Sequence, residues 1–223
     1  MRQLRILVLF VLTGGVSVAL SGCGENPMFA NILDVARYAT SGMPSQPIDR
    51  QKIANLPYAT IAAKIGKGQK AVLVLAHNTY SQLEWVATDG ATLVTRNGRL
   101  IQTSGFNDNI RGTQYDADDP LASESTELDG QMMYRVLDMD LEGKFRSVPI
   151  TSKFEVIGPR KIEIEGLMFD TVLVKEHNRA HTINWKFDNY YWLDPYNGFV
   201  WKSEQHFTRN LPPVVIEVLK PAL

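Results

Sequence analysis

Apolar residues open this chain in one block and then settle into short alternating runs. Ile6–Ala19 is broken mainly by Gly14-Gly15 and Ser17, and Arg2 and Arg5 precede it. A charged start, a hydrophobic stretch and small residues behind it are the layout of a secretory signal. The run is shorter and more glycine-broken than a membrane-spanning helix, which wants about 18 uninterrupted apolar residues. Beyond it, Phe29, Ile32, Leu33 and Ala36 recur at helical spacing behind Asn26-Pro27, a cap followed by proline at the first helical position. This predicts a helix over Pro27–Thr40, then a proline-marked linker over Met43–Pro47 and a short helical turn around Asp49–Ala54.

From Tyr58 the period shortens to two. Ala59–Ile65, Ala71–His77, Gln82–Ala87, Ala91–Arg96 and Arg99–Thr103 read as strands. They are separated by Gly66-Lys67-Gly68, Asn78-Thr79-Tyr80, Asp89-Gly90 and Asn97-Gly98, and the last two predict tight hairpins because both central positions of a type I′ turn need positive φ. Strands resume at Met132–Asp138, Arg146–Ile157 and Lys161–Glu165, the last two hinged at Gly158-Pro159. Met168–Glu176, His181–Phe187, Tyr190–Leu193, Phe199–Thr208 and Val214–Leu219 follow. Asp194-Pro195-Tyr196-Asn197-Gly198 has the chemistry of a hairpin loop. On the last long strand, alternation puts Phe199, Trp201, Ser203, Gln205 and Phe207 on one face. About twelve short strands at hairpin spacing predict an all-β fold, an antiparallel meander closing into a barrel-like or sandwich domain with a short N-terminal helix.

The end of the apolar block is more specific than an ordinary signal. Leu20-Ser21-Gly22-Cys23 matches the bacterial lipobox, so Gly22 is the predicted cleavage position and Cys23 the new N-terminus, carrying diacylglycerol and a fatty acyl group. Cys23 is the only cysteine, which rules out an intrachain disulfide. The predicted organisation is 1–22 signal peptide, 23–50 lipidated tether and short helix, and 51–223 a single antiparallel β domain. Arg2 and Arg5 are the only charges before Cys23, so the mature chain keeps 21 basic and 24 acidic residues. Without a basic excess there is no nucleic-acid footprint and no polybasic membrane patch, and membrane attachment rests on the lipid. Gly24, where lipoproteins held at the inner membrane often carry Asp, favours the outer membrane by the general sorting rule.

Chemistry is sparsely written. No Gly-x-Ser-x-Gly turn is present, and paired carboxylates cannot be assigned from spacing. Residues Asn107–Asp129 are acidic and without hydrophobic period; their spacing does not match an EF-hand, and they read as a solvated loop. His177 and His181 form a Glu-His-x-x-x-His pattern, but flanking strands with a turn at Asn178-Arg179 make them surface histidines on either side of a hairpin rather than metal ligands. No cofactor and no metal are predicted. The aromatics concentrate late: Trp185, Tyr190, Tyr191, Trp192, Tyr196, Phe199 and Trp201. Sheet-borne Trp and Tyr can stack on sugar rings, or they can be core and cross-strand pairs. Trp85, Tyr190, Tyr191, Trp192 and Trp201 are the candidate glycan- or partner-binding residues.

The lipobox, Ile53–Thr60, the meander Val72–Gly105 with Trp85 and Asn97-Gly98, and Trp185–Ser203 together resemble the YjbF/GfcB lipoproteins. The more specific part is Tyr191-Trp192-Leu193-Asp194-Pro195 with Gly198–Ser203. That family is associated with group 4 capsule and related exopolysaccharide operons and brings no catalytic residues. The resemblance implies a non-enzymatic, outer-membrane-anchored periplasmic lipoprotein that aids capsule or exopolysaccharide production or export, with polysaccharide or export-machinery proteins as partners. The alternative is a lipid-binding carrier or chaperone with an apolar barrel cavity.

Overall fold

Strand follows strand in space as in sequence. The computed structural model describes residues 48–123 and 127–222, which belong to one unit, Ser41–Leu223. The signal segment, Cys23, the helix expected over Pro27–Thr40 and residues 124–126 of the acidic stretch lie outside the described residues. Helix α1 (Arg50–Asn55) starts at Asp49, whose side chain accepts from the backbone N–H groups of Gln51 and Lys52. The twelve strands are β1 (Thr60–Ile65), β2 (Ala71–Thr79), β3 (Gln82–Val86), β4 (Thr92–Arg96), β5 (Arg99–Ser104) and β6 (Asn109–Tyr115), then β7 (Met132–Leu141), β8 (Lys144–Ile164), β9 (Leu167–Ala180), β10 (Trp185–Leu193), β11 (Val200–Gln205) and β12 (Val214–Lys220). They form one antiparallel sheet in the order β5-β4-β3-β2-β1-β12-β11-β10-β9-β8-β7-β6. First and last strands therefore pair, and the open seam falls mid-chain, between β5 and β6. Side chains stitch it: Thr113 donates to the Ile101 carbonyl (2.8 Å), and the Ile110 N–H donates to Thr103 Oγ1 (2.9 Å). The result is a nearly closed antiparallel barrel, as the alternation implied.

Tight turns set the register. Asn97-Gly98 has positive φ at both positions, as do Glu142-Gly143 and Glu165-Gly166, and each joins directly paired strand ends. Tyr80-Ser81 does the same without glycine. Asp89-Gly90 departs from expectation: only Gly90 has positive φ, and the connection is a longer loop closed by Gly90 N–H to the Ala87 carbonyl. Gly98 is also a close approach, since a Cβ there would meet the Val200 side chain at 2.4–2.7 Å.

Four further expectations are corrected. The stretch Asn107–Asp129 is not all loop: Asn109–Tyr115 is strand β6, whose hydrophobic signal is weak because it borders the seam and uses polar side chains to reach β5. Gly158-Pro159 does not end a strand. The β8–β9 register slips between Val156 and Gly158, Gly158 takes φ +118°, and the strand runs on. Pro159 is tolerated because β7 pairs with β8 only as far as Lys153, leaving the proline on a free edge. The hairpin near Asn178-Arg179 is displaced: β9 continues to Ala180 and turns at His181–Asn184, so His177 and His181 do not flank it. Finally, a bulge opposite Trp192/Leu193 shifts the face of β11. Val200, not Trp201, joins Ser203, Gln205 and Phe207 inside.

The β8–β9 hairpin is longer than the barrel strands, and its tip folds over the outer surface. Lys70 bridges Glu165 of the tip (2.6 Å) to Glu217 of β12 (2.7 Å). Arg50 donates to the carbonyls of Ile164 (2.9 Å) and Glu165 (2.6 Å), and Phe169 packs on Trp201 with ring centroids 4.5 Å apart.

Candidate functional site

The barrel interior is layered. Inward positions on β7 read Met133, Arg135, Leu137, Met139, Leu141; on β9 they read Val174, Glu176, Asn178, Ala180. One apolar cluster contains Leu137, Met139, Ile150, Phe187 and Phe207, and a second contains Leu128, Met133, Phe154, Tyr191 and Leu193. Between them lies a belt of buried polar groups centred on Glu176, which is fully buried. Its Oε1 accepts from Arg99 (2.8 Å) and Arg135 (2.8 Å). Its Oε2 accepts from Asn189 (2.8 Å), Asn178 (3.2 Å) and Tyr191 (3.1 Å). Arg99 also holds Asp119 through Nε and Nη2, a bidentate pair that ties β5 to the β6–β7 connection. Two arginines thus face two carboxylates, and the belt is neutral in sum.

Burial alone would raise the Glu176 carboxyl, but Arg135 and Arg99, with Asn189 and Asn178 donating, hold it far below the ordinary carboxylate range. Burial pushes the Tyr191 hydroxyl well above its usual value, so it stays a protonated donor. A carboxylate so thoroughly saturated is a structural keystone; it has no lone pair left to act as a base.

Beside this belt, one end of the barrel opens into a cavity of about 480 Å³, within the 300–1,000 Å³ range of ligand sites. Its walls are Ile61, Leu83, Trp85, Ile216 and Val218. Thr95 and Ser203 lie at its base, next to the polar belt, and Leu121, Phe199 and Val200 close the opposite side. The rim is carried by turns: Ser81 from β2–β3, Asn97 from β4–β5 and Asn197 from β10–β11, with Asn78 at the end of β2. Among the described residues, none lining the cavity is ionisable.

The aromatics expected to bind are divided among four places. Trp85 is buried, lines the cavity and donates its indole N–H to Thr95 (2.9 Å). Tyr191 is corrected: it is fully buried in the belt, bonded to Glu176, and presents nothing to a partner. Tyr190 and Trp192 face outward and are half-buried, with Lys175 over Tyr190 (5.7 Å) and Lys202 over Trp192 (5.5 Å). Both lysines are already paired, with Asp188 and Glu217 respectively. Trp201 sits under the folded hairpin between Phe169 and Phe199 and donates to Asp194 (3.2 Å). The structure does not bring these five together. His177 spends both ring nitrogens on Asp188 and Glu155, each 2.9 Å away. Among the described residues no cluster of His, Cys, Asp and Glu is arranged to hold a metal.

The model of the family described as group 4 capsule polysaccharide lipoprotein GfcB, YjbF matches residues 33–219. This chain belongs to that family. It is 28% identical to the Escherichia coli K12 uncharacterized lipoprotein GfcB over 203 residues, 91% of this chain and 94% of that protein. It is likewise 28% identical to the E. coli K12 uncharacterized lipoprotein YjbF over 181 residues, 81% of this chain and 84% of that one. The crystal structure of the hypothetical lipoprotein YmcC from E. coli K12 superposes with a TM-score of 0.72 at 27% identity, covering 86% of this chain and 96% of that one. The family, its link to capsule polysaccharide and the barrel are therefore settled together.

Sequence reasoning missed the belt. Arg135 sits between inward Met133 and Leu137, and Glu176 follows inward Val174; a charge at an inward position of a strand is the signal that could have found them. Asp119, within the stretch expected to be a solvated loop, is buried against Arg99.

Proposed function

We propose that this protein is an outer-membrane-anchored periplasmic lipoprotein that serves capsule or exopolysaccharide export by contacting the glycan, without catalysing a reaction on it. The observation that carries this reading is the match of the capsule polysaccharide lipoprotein family over residues 33–219. The lipobox at Leu20–Cys23 supports the anchor, with two acyl signals sufficient for stable attachment. Saturation of Glu176 by five donors gives that carboxylate a structural role.

The test is a chromosomal deletion complemented in three ways: wild type, Cys23→Ser, or empty vector. The reading expects surface polysaccharide to fall in the deletion and return with wild type, and the Cys23→Ser protein to leave the outer-membrane fraction and fail to restore export. Unchanged surface polysaccharide in the deletion contradicts it.

A further inference from the structure

The cavity at the turn-bearing end of the barrel sets an unpartnered polar rim above a floor shared with the barrel core, where Ile61, Trp85 and Ile216 are buried. Its walls are apolar, with the Trp85 indole among them. Its rim is amide and hydroxyl: the side chains of Asn78, Ser81 and Asn97 are exposed and form no hydrogen bond with any described residue. Among the described residues its lining carries no charge, although 21% of the chain is charged. Asn97 and Ser81 also hold positive φ on tight turns, which fixes their side chains at the mouth.

From this geometry we propose that the cavity is a binding site for an uncharged saccharide segment. Sugar rings present apolar C–H faces and a periphery of hydroxyls that both donate and accept. Carboxamides answer such hydroxyls in both senses, and a Trp-bearing apolar wall answers the ring faces. A phospholipid or fatty acid brings an anionic head, and an acidic glycan brings carboxylates; either needs a cation at the mouth, and the described lining residues include no Lys, Arg or His. The desolvated polar groups of a neutral sugar lose least here, because each finds a neutral partner. The cavity is walled by β1, β3 and β12 on one side and by the start of β11 and Leu121–Ser123 of the β6–β7 connection on the other. This proposal rests on the glycan-contact reading above and names its site and the class of sugar.

The test uses the full chain purified in a sugar-free detergent, since alkyl glycosides would compete. The probes are the neutral and the acidic oligosaccharide fractions of a partial hydrolysate of the producing strain's own extracellular polysaccharide, with phosphatidylethanolamine–phosphatidylglycerol vesicles as a third. Binding is read by calorimetry and by the resonances of the Asn78 and Asn97 side-chain amides and the Trp85 indole. The neutral fraction is expected to bind and to move those three signals. The double variant Asn78→Ala/Asn97→Gly, which keeps a residue suited to positive φ at 97, is expected to weaken binding at least tenfold with an unchanged melting temperature. Trp85→Phe is the second variant, and its fold is checked by the methyl spectrum.

Three results overturn the proposal: neutral fragments bound equally by wild type and the rim variant, acidic fragments bound more tightly than neutral ones, or no fragment bound. Vesicle lipid that enters the cavity and shifts Trp85 in place of the sugar overturns it as well. Each of these leaves the deletion phenotype to stand or fall by itself, so failure of the site and failure of the export role are separate readings.

Discussion

Replacing Glu176 by Gln tests whether the polar belt holds the barrel together. The substitution keeps shape and one acceptor oxygen, and it removes one negative charge from a fully buried site. Arg99 and Arg135 then face Asp119 alone, leaving one positive charge uncompensated. The new amide nitrogen also meets donors, because Asn189, Asn178 and Tyr191 all point at Oε2. Breaking a buried ion pair from one side costs about 3–5 kcal/mol. The retained acceptor places this case near the lower bound, about 3 kcal/mol, against a total stability of about 5–15 kcal/mol. With a urea slope of about 2 kcal/mol per molar, the unfolding midpoint falls by roughly 1.5 M. Adding Arg135→Met restores charge balance, and the double variant is expected to be more stable than the two single effects sum to, by at least about 1 kcal/mol. A single-variant midpoint shift below about 0.5 M, the size of an exposed ion pair, would refute the argument. Strict additivity in the double variant would refute it too.

Acid should unfold the protein through the same group. The Glu176 carboxyl lies below its ordinary value of 4.5 in the fold, so its stabilisation is present above pH 4.5 and is lost progressively as pH falls and the unfolded chain takes up the proton. Stability measured from pH 6 downward should decline below about pH 4.5, with a shallower decline in Glu176→Gln; equal slopes would contradict this. Gly98→Ala puts a Cβ within 2.4–2.7 Å of the Val200 side chain at φ +77°. Overpacking of about 1–3 kcal/mol on top of left-handed strain should lower the melting temperature by several degrees, which thermal unfolding will show. Trp201→Ala should act on folding before ligand binding, because the indole is packed between Phe169 and Phe199. A loss of roughly 2 kcal/mol is expected, below the 3–5 kcal/mol of a fully buried tryptophan, together with faster proteolysis of the β8–β9 tip.

The sheet was legible because its code is local. Alternation located all but one strand, and Asn97-Gly98 and the Asp194–Gly198 loop announced their turns through residues that tolerate positive φ. Strand β6 escaped because its role is to close the seam, and it does so with Thr113 and a backbone N–H rather than with a run of apolar side chains. The bulge at β10–β11 escaped because one extra residue inverts a face without altering composition, and that inversion moved Trp201 out of the barrel. Counting aromatics located a cluster in sequence, but the pleat divided it: Tyr191 went to the belt, and Tyr190 and Trp192 to the outer surface. The cavity itself was not legible, since Ile61, Trp85, Asn97, Asn197 and Ile216 meet only when β1 pairs with β12 across nearly the whole chain.

If the barrel meets polysaccharide through its open end, the rim of the cavity touches sugar in the cell. The most direct measurement places a photo-cross-linking residue at Ser81 on the rim, in cells making the polysaccharide, and analyses the captured species for sugar. The expected adduct carries neutral saccharide and vanishes when polysaccharide synthesis is blocked. An adduct that persists under that block, or one that contains only lipid or protein, would contradict it.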